Sequence, residues 1–386
     1  MNRIAYIDGL RAVAVASVVA FHAAKYNPAI AGDPSSLLGL ALRHGSHGVD
    51  LFFVLSGFCL SYPTLQRFYG GDAVTFDVAR FAARRIVRIT GPYYCTIVVL
   101  LVLAFGLRAA GAGLPPSMPQ SGFSAGDVVL QALFFDHNVR FLNGSFWTLA
   151  VEFRWYFVFP LVLWLWTVSP RAFALVAIVA LVAYTSGARL VDFLTLPAFM
   201  LGIVAAAAAV RRPPAARWAL PALLGLVALG VATSGSDIAP WVWTTTPVWQ
   251  LAAFALVVAA GATPQLSRLL EVRALAAVGV ASYGIYLVHE PVIAFVEHHA
   301  PLAGAPLALA AMLSGIAAGL AFSRIAERPF VASPLRDRMV GALERTLSRR
   351  LQALRIARGV PLRRAALAVA KQLVERREVV DAGRPG

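Results

Sequence analysis

An arginine and a histidine eleven residues apart, Arg11 and His22, stand inside the first apolar stretch of the chain, IDGLRAVAVASVVAFHAA at 7–24, which also carries Asp8. Eleven residues make about three turns plus 20° of α-helix, so the two side chains would share one stripe, about 16 Å apart along the axis. Neutral imidazole can take a proton near neutral pH, and a guanidinium can hold or polarise an anionic group. Ionisable groups cost free energy in lipid, and an aligned pair marks a functional stripe. The plainer reading is an arginine snorkelling to the membrane surface and a histidine hydrogen-bonded inside a bundle.

Three further polar sets interrupt apolar runs. The first is Gly48-Val-Asp50 followed by Phe52-Phe-Val-Leu-Ser56-Gly57-Phe58. The second is GSFWTLAVEFRWYF, with Trp147, Glu152, Arg154 and Tyr156; the third is ASYGIYLVHEP, with Ser282, Tyr283, Tyr286, His289 and Glu290. Each Asp, Lys or Arg near the middle of a membrane helix costs about 2.5–3.5 kcal/mol. A purely structural bundle would place Gly, Ala and Ser at its contacts instead. Glu152 and Tyr156 are four residues apart and share a face, and Ser282, Tyr286 and His289 follow one helical stripe. Polar faces from these stretches and the first could meet in one cavity. Read singly, Glu152 is equally a partner for Arg154 or another arginine, and His289 a hydrogen-bonded core histidine.

Arg84, Arg85 and Arg88 in RRIVRITGPYY form a fourth set just ahead of an apolar run. Forked guanidiniums there suit phosphate, although an excess of positive charge on the cytoplasmic side explains arginines at this place equally well.

These residues need elements to carry them. Of 386 residues, 59% are hydrophobic and 14% charged, far more apolar than a soluble core of this length requires, so the chain reads as a polytopic membrane protein. Ten windows are long and apolar enough to cross a bilayer as helix: 7–25, 47–64, 92–110, 145–168, 171–187, 190–210, 217–234, 243–262, 274–296 and 302–324. The first is no cleavable signal, because its polar residues lie inside the apolar run. With the N-terminus in the cytoplasm, the internal loops hold Arg67, Arg80, Arg84, Arg85, Arg88, Arg171, Arg211, Arg212, Arg217, Arg268 and Arg273. The external side keeps only Lys25, Arg43, Arg140 and Arg189, with Arg108 near a helix end. This bias predicts an all-α bundle of about ten spans with both termini cytoplasmic.

Outside the spans, a short helix is expected near Asp127–Phe135, and Asn143-Gly-Ser is read as a turn rather than a glycosylation site. Residues 1–330 form the membrane domain and 331–386 a basic tail. In that tail Leu343, Leu347, Leu351 and Leu354 recur at helical spacing, as in an amphipathic helix on anionic lipid headgroups or a solvated tail. The net charge of +15 is spread over loops and tail, which argues against a nucleic-acid partner. Cys59 and Cys95 both lie in apolar stretches and read as packed thiols, with neither a disulfide nor a metal site. Richness in Ala, Gly, Pro and Arg hints at a bacterial genome.

Taken in order, IDGLRAVAVASVVAFH, GVDLFFVLSGF, RRIVRITGPYY, SFWTLAVEFRWYF, ASYGIYLVHEP and the closing ERPF at 327–330 resemble the acyltransferase-3 family of membrane O-acyltransferases. Gly91 departs from the family pattern, which often has a second proline there. The resemblance covers 7–330, and without an appended hydrolase-like domain the stand-alone form is expected. It implies a protein of the bacterial inner membrane that moves an acyl group, commonly acetyl, from cytoplasmic acyl-coenzyme A to a hydroxyl of a sugar-containing acceptor. It implies Arg11 and His22 as the essential pair, Arg85 and Arg88 as the cytoplasmic arginine motif, and Ser56, Gly57 and Phe58 as the SGF motif. Glu152, Tyr286 and His289 match later motifs.

The chemistry fits that expectation. Acyl transfer to an alcohol needs a base for the leaving proton and positive charge for the oxyanion. His22 is the candidate base, and Arg11 and Glu152 complete the catalytic set. Arg84, Arg85 and Arg88 are candidates for the coenzyme A phosphates, and Ser56, Tyr286, His289, Trp147 and Asp50 for substrate contacts. Glu152 could orient a histidine or pair with Arg11. Direct attack is favoured over an acyl-histidine. The competing class is a proton-coupled transporter or flippase of a glycan or lipid, although no duplicated halves are visible.

Overall fold

The computed structural model describes residues 4–31, 36–72, 75–120, 122–135, 142–184, 186, 191–233, 246–353 and 360–361. Arg140, Arg189, Leu354 and the tail beyond residue 361 fall outside them. The chain is a polytopic bundle of α-helices. The first is α1, Ala5–Tyr26. A short helix α2, Leu37–His44, is capped by the Ser36 hydroxyl and turns through Gly45–His47 into α3, Gly48–Tyr69. Next come α4 (Val78–Ala109), α5 (Ala125–Ala132), α6 (Phe146–Val168), α7 (Pro170–Ala183), α8 (Val191–Arg211) and α9 (Ala219–Thr233). The chain continues through α10 (Thr246–Ala262), α11 (Pro264–Leu270), α12 (Arg273–Val280), α13 (Ser282–His299) and α14 (Gly304–Phe322). It closes with the four-residue turn α15, Arg328–Val331, and α16, Pro334–Ala353.

The ten apolar windows all hold helix. Among the described residues, seven helical segments are long and apolar enough to cross a membrane, two bent pairs pass together, and α7 is a shorter apolar helix. The bent pairs refine the expectation of straight spans. α10 and α11 meet at 101°, where Pro264 cannot donate its backbone nitrogen and opens a new helix. The ninth window is broken at Ala281 into α12 and α13, which meet at 74°. That break puts Val280 and Ser282, from two helices, on the wall of one cavity.

α1 and α3 run antiparallel: Gly45 and Gly48 press on the α1 backbone at Ser17 and Ala14, while Cys59, one end further on, meets Arg11. A close crossing joins α3 to α8. A Cβ on Gly57 would collide with the Phe199 carbonyl, and one on Gly202 with the Val54 carbonyl. Only glycine lets two backbones approach so closely, and this is the packing that replaces hydrophobic drive between membrane helices. Phe58, Phe146, Phe159, Phe199 and Tyr93 fill the core around this crossing. Apolar side chains such as Val102 and Phe105 on α4, Ile178 and Val179 on α7, and Leu309 and Leu313 on α14 point outward, as lipid-facing positions do.

At 32 residues α4 exceeds the roughly 20 needed to span, and its first turns project past the bundle. There α16 lies along it: Val340, with Leu343 and Leu347, packs on Ala83 and Val87. Leu343 and Leu347 of the expected stripe are thus partly covered by protein. α15 adds Phe330, whose ring fills the space beside Gly91; a Cβ there would collide with it. The departure from proline at residue 91 and the closing ERPF stretch are therefore two sides of one contact.

Candidate active site

A cavity of about 910 Å³ of empty space, part of it open to solvent, runs between α1, α3, α4, α6 and the broken α12–α13 pair. Its lining on α3 extends from Val49 to Leu60, about 16 Å along the helix axis. Three guanidiniums, Arg11, Arg85 and Arg88, stand in its wall. The Arg11 Nη2 donates to Cys59 Sγ at 3.5 Å, and Nη1 lies 3.9 Å from Asp8 Oδ1. Arg85 sits 5.8 Å from the Phe81 ring centre, and its Nε is buried with no hydrogen-bond partner among the described residues. A buried unpaired donor is costly and calls for an acceptor from outside the chain. Arg84 is exposed on the other side of α4 and does not line the cavity.

Glu152 lies in the cavity wall, where it accepts a hydrogen bond from the Ser56 hydroxyl and another, at 2.5 Å, from the Tyr156 hydroxyl. The shared face of Glu152 and Tyr156 is thus a direct contact. Among the described residues its carboxylate bonds to these two hydroxyls rather than to a histidine or Arg11, the two roles expected from sequence. Arg154 has its own partner: Nε and Nη2 both donate to the Asp192 carboxylate at 2.8 Å, a fork from α6 to α8. Asp50 turns away from the cavity, receiving His47 Nδ1 at 2.8 Å and Gln250 Nε2 at 3.4 Å. Trp147 is half-buried against the core and does not line the cavity either.

The cavity ends at Tyr286 and Thr148, whose hydroxyls bond at 2.7 Å while the tyrosine hydroxyl also lies 3.3 Å from the Ser145 carbonyl. Phe52 meets the Tyr286 ring edge-on at 5.8 Å between centres. His22 was expected to face this hollow, yet neither it nor His289 lines it. From Tyr286 the rings continue to His289 at 5.5 Å and from His289 to His22 at 4.9 Å. The imidazole is therefore two rings beyond the cavity wall. The hydroxyl contacts with Thr148 and Ser145 hold the Tyr286 ring in that wall.

Behind the wall lies a second polar cluster. His289 is fully buried, with its Nε2 3.2 Å from His22 Nδ1. Glu290, 1% exposed, accepts from Lys25 Nζ and Tyr26 Oη, both at 2.9 Å on Oε1, and from Ser145 Oγ at 2.7 Å on Oε2. His22 Nε2 lies 3.5 Å from the same Oε1. The turn expected at Asn143 is present: its Oδ1 accepts from the Ser145 amide and its Nδ2 donates to the Leu287 carbonyl, both at 2.9 Å. Asn143 is fully buried, so no glycan could be attached there. Gly144 leaves the room that Glu290 needs, since a Cβ would stand 3.0 Å from both carboxylate oxygens.

Sequence reasoning passed over Glu290, Lys25, Tyr26 and Ser145 as site residues. One signal was available: His22, Lys25 and Tyr26 stand at i, i+3 and i+4, so all three face one way. Among the described residues there is no cluster of three or more metal-ligating side chains.

Residues 4–327 match the acyltransferase domain family known as acyltransferase-3. The peptidoglycan O-acetyltransferase OatA of Listeria monocytogenes is 26% identical over 177 residues, covering 43% of this chain and 25% of that protein. The O-acetyltransferase OatA of Staphylococcus aureus is 27% identical over 164 residues, 41% of this chain and 24% of its own. The putative peptidoglycan O-acetyltransferase YrhL of Bacillus subtilis is 29% identical over 192 residues, 47% and 27% respectively. The matched part thus spans about a quarter of the length of these relatives. No solved structure gives a significant match. With the match running from residue 4 to 327 through nearly the whole bundle, the chain belongs to the acyltransferase-3 family.

Proposed function

We propose that this protein is an O-acyltransferase of the bacterial cytoplasmic membrane, with both termini inside, using acyl-coenzyme A, in the first instance acetyl-coenzyme A. The observation that carries this reading is the unpartnered, buried Nε of Arg85 in a cavity also walled by Arg11 and Arg88. Three guanidiniums against few carboxylates make a receptor for a polyanion, and forked hydrogen bonds to phosphate satisfy what the protein leaves open. The donor's phosphates rest on Arg85 and Arg88, and its slender arm follows the α3 lining toward Tyr286. Arg11 stands where it can polarise a thioester or hold the pantetheine carbonyls.

The acceptor approaches from the other end of the bundle. The names of the relatives point to a glycan hydroxyl, peptidoglycan among the choices. His22 is the base, and transfer is direct. Because the cavity stops at Tyr286, the arm reaches His22 only when that ring swings off Thr148 and Ser145; such gating motions occupy microseconds to milliseconds.

Calorimetry with coenzyme A tests the receptor. In Arg85→Ala/Arg88→Ala the dissociation constant rises at least tenfold; an unchanged constant removes these residues from the donor site. Radiolabelled acetyl-coenzyme A then separates enzyme from carrier, since release of free coenzyme A with labelled product supports transfer. Movement of a glycan or lipid across the membrane without acyl loss would make the chain a transporter.

A further inference from the structure

We infer that Glu290, gripped by Lys25, Tyr26 and Ser145, is the positioning residue for His22, and that His22 Nε2 is the atom that receives the acceptor's proton. The inference rests on the reading of His22 as the base. It begins from which nitrogens already carry hydrogen.

His289 Nδ1 lies 2.9 Å from the Tyr286 carbonyl and 3.2 Å from the Ile285 carbonyl. Carbonyl oxygens only accept, so Nδ1 carries the proton and neutral His289 offers its Nε2 lone pair. That lone pair points at His22 Nδ1, 3.2 Å away. The same His22 Nδ1 is 2.9 Å from the Val18 carbonyl. Two acceptors therefore place the hydrogen of His22 on Nδ1. The free lone pair is left on Nε2.

Nε2 faces Glu290 Oε1 at 3.5 Å. At rest these are two acceptors, slightly too far apart for a hydrogen bond. When Nε2 takes the acceptor's proton, the imidazolium that forms lies beside a carboxylate that is already in place. The attraction appears only as charge develops, which is the condition for lowering a barrier rather than merely tightening binding. A bare buried carboxylate would be costly, and Lys25, Tyr26 and Ser145 hold this one. Among the described residues the charged or titratable groups against His22 are Glu290 and His289, and Lys25 shares the same Glu290 oxygen.

The step balances. The acceptor O–H breaks and its proton passes to Nε2 as the oxygen bonds to the thioester carbon. The C–S bond then breaks, and Nε2 returns the proton to the departing coenzyme A thiolate.

The test uses the full chain in lipid nanodiscs with acetyl-coenzyme A, following free thiol released to water or added glycan. Glu290→Gln keeps the shape; its oxygen accepts from Lys25 and Tyr26 while its amide nitrogen donates to the Ser145 hydroxyl, so a packing role predicts turnover near wild type. The inference predicts a kcat about 100-fold lower, in the range of a general-base contribution, with KM for acetyl-coenzyme A within twofold. Glu290→Asp should recover at least tenfold over Gln. Removing the now unopposed cation with Lys25→Met should raise the turnover of the Gln variant. A Gln variant within threefold of wild-type kcat overturns the inference alone. A His22→Gln variant that turns over normally overturns the reading beneath it as well.

Discussion

At the scale of single residues, the site divides into groups left open at the cavity and groups that hold each other. Arg85 is of the first kind, because nothing in the described protein meets its Nε. Arg154 is of the second, since its fork onto Asp192 leaves it committed to α8. Replacing His22 with Ala should reduce acetyl transfer below a few per cent while leaving folded protein at wild-type abundance, checked by size exclusion and turnover. Replacing Arg154 with Ala should do the reverse, lowering the melting temperature while sparing most of kcat/KM per folded molecule. The types and spacing of Arg11, His22, Arg85 and Arg88 were legible because an ionisable side chain in an apolar run has few structural reasons to be there. The partner of His22 was not legible. Glu290 is 268 residues away in sequence, and only the turn at Asn143 and the end of α1 bring its three donors around it. Asp50 lies outside the cavity lining for a related reason: its face of α3 meets His47 and Gln250, and a polar residue in an apolar run does not announce which neighbour it serves.

At the scale of elements, the close α3–α8 crossing and the break at Ala281 place the walls of the cavity. The ten apolar windows were readable from length and composition, yet the bend inside the ninth was not. No proline or paired glycine marks Ala281, whereas Pro264 does mark the other bend. Gly57 is part of the motif read as SGF, and its position against Phe199 shows that backbone approach is its work. Gly57→Val should therefore destabilise the bundle by about 1–3 kcal/mol through overpacking, read as a lower melting temperature in detergent. The Tyr286 gate makes a different forecast. Tyr286→Phe loses the hydroxyl ties to Thr148 and Ser145, so in stopped-flow assays the step between donor binding and acyl transfer should quicken. An unchanged or slower step would show that the ring does not close the path.

At the scale of the whole molecule, the protein is a bundle that holds a polar cavity and, next to it, a buried polar cluster. One opens among arginines at the end where α4 and α16 meet; the other lies around His22 beside the end of α1. Tyr286 stands between them. On the proposed reading, this order lets a charged donor and a glycan acceptor approach from opposite sides. The arrangement was only half visible from the sequence, because the arginine bias fixes which loops share a side but not where a cavity ends. The most direct measurement is a structure of the full chain bound to a non-hydrolysable acetyl-coenzyme A analogue. The account predicts phosphates within hydrogen-bond distance of Arg85 and Arg88, Tyr286 displaced from Thr148, and the acyl carbon beside His22 Nε2. A nucleotide bound elsewhere, or an acyl group seated with Tyr286 still closed between it and His22, would contradict it.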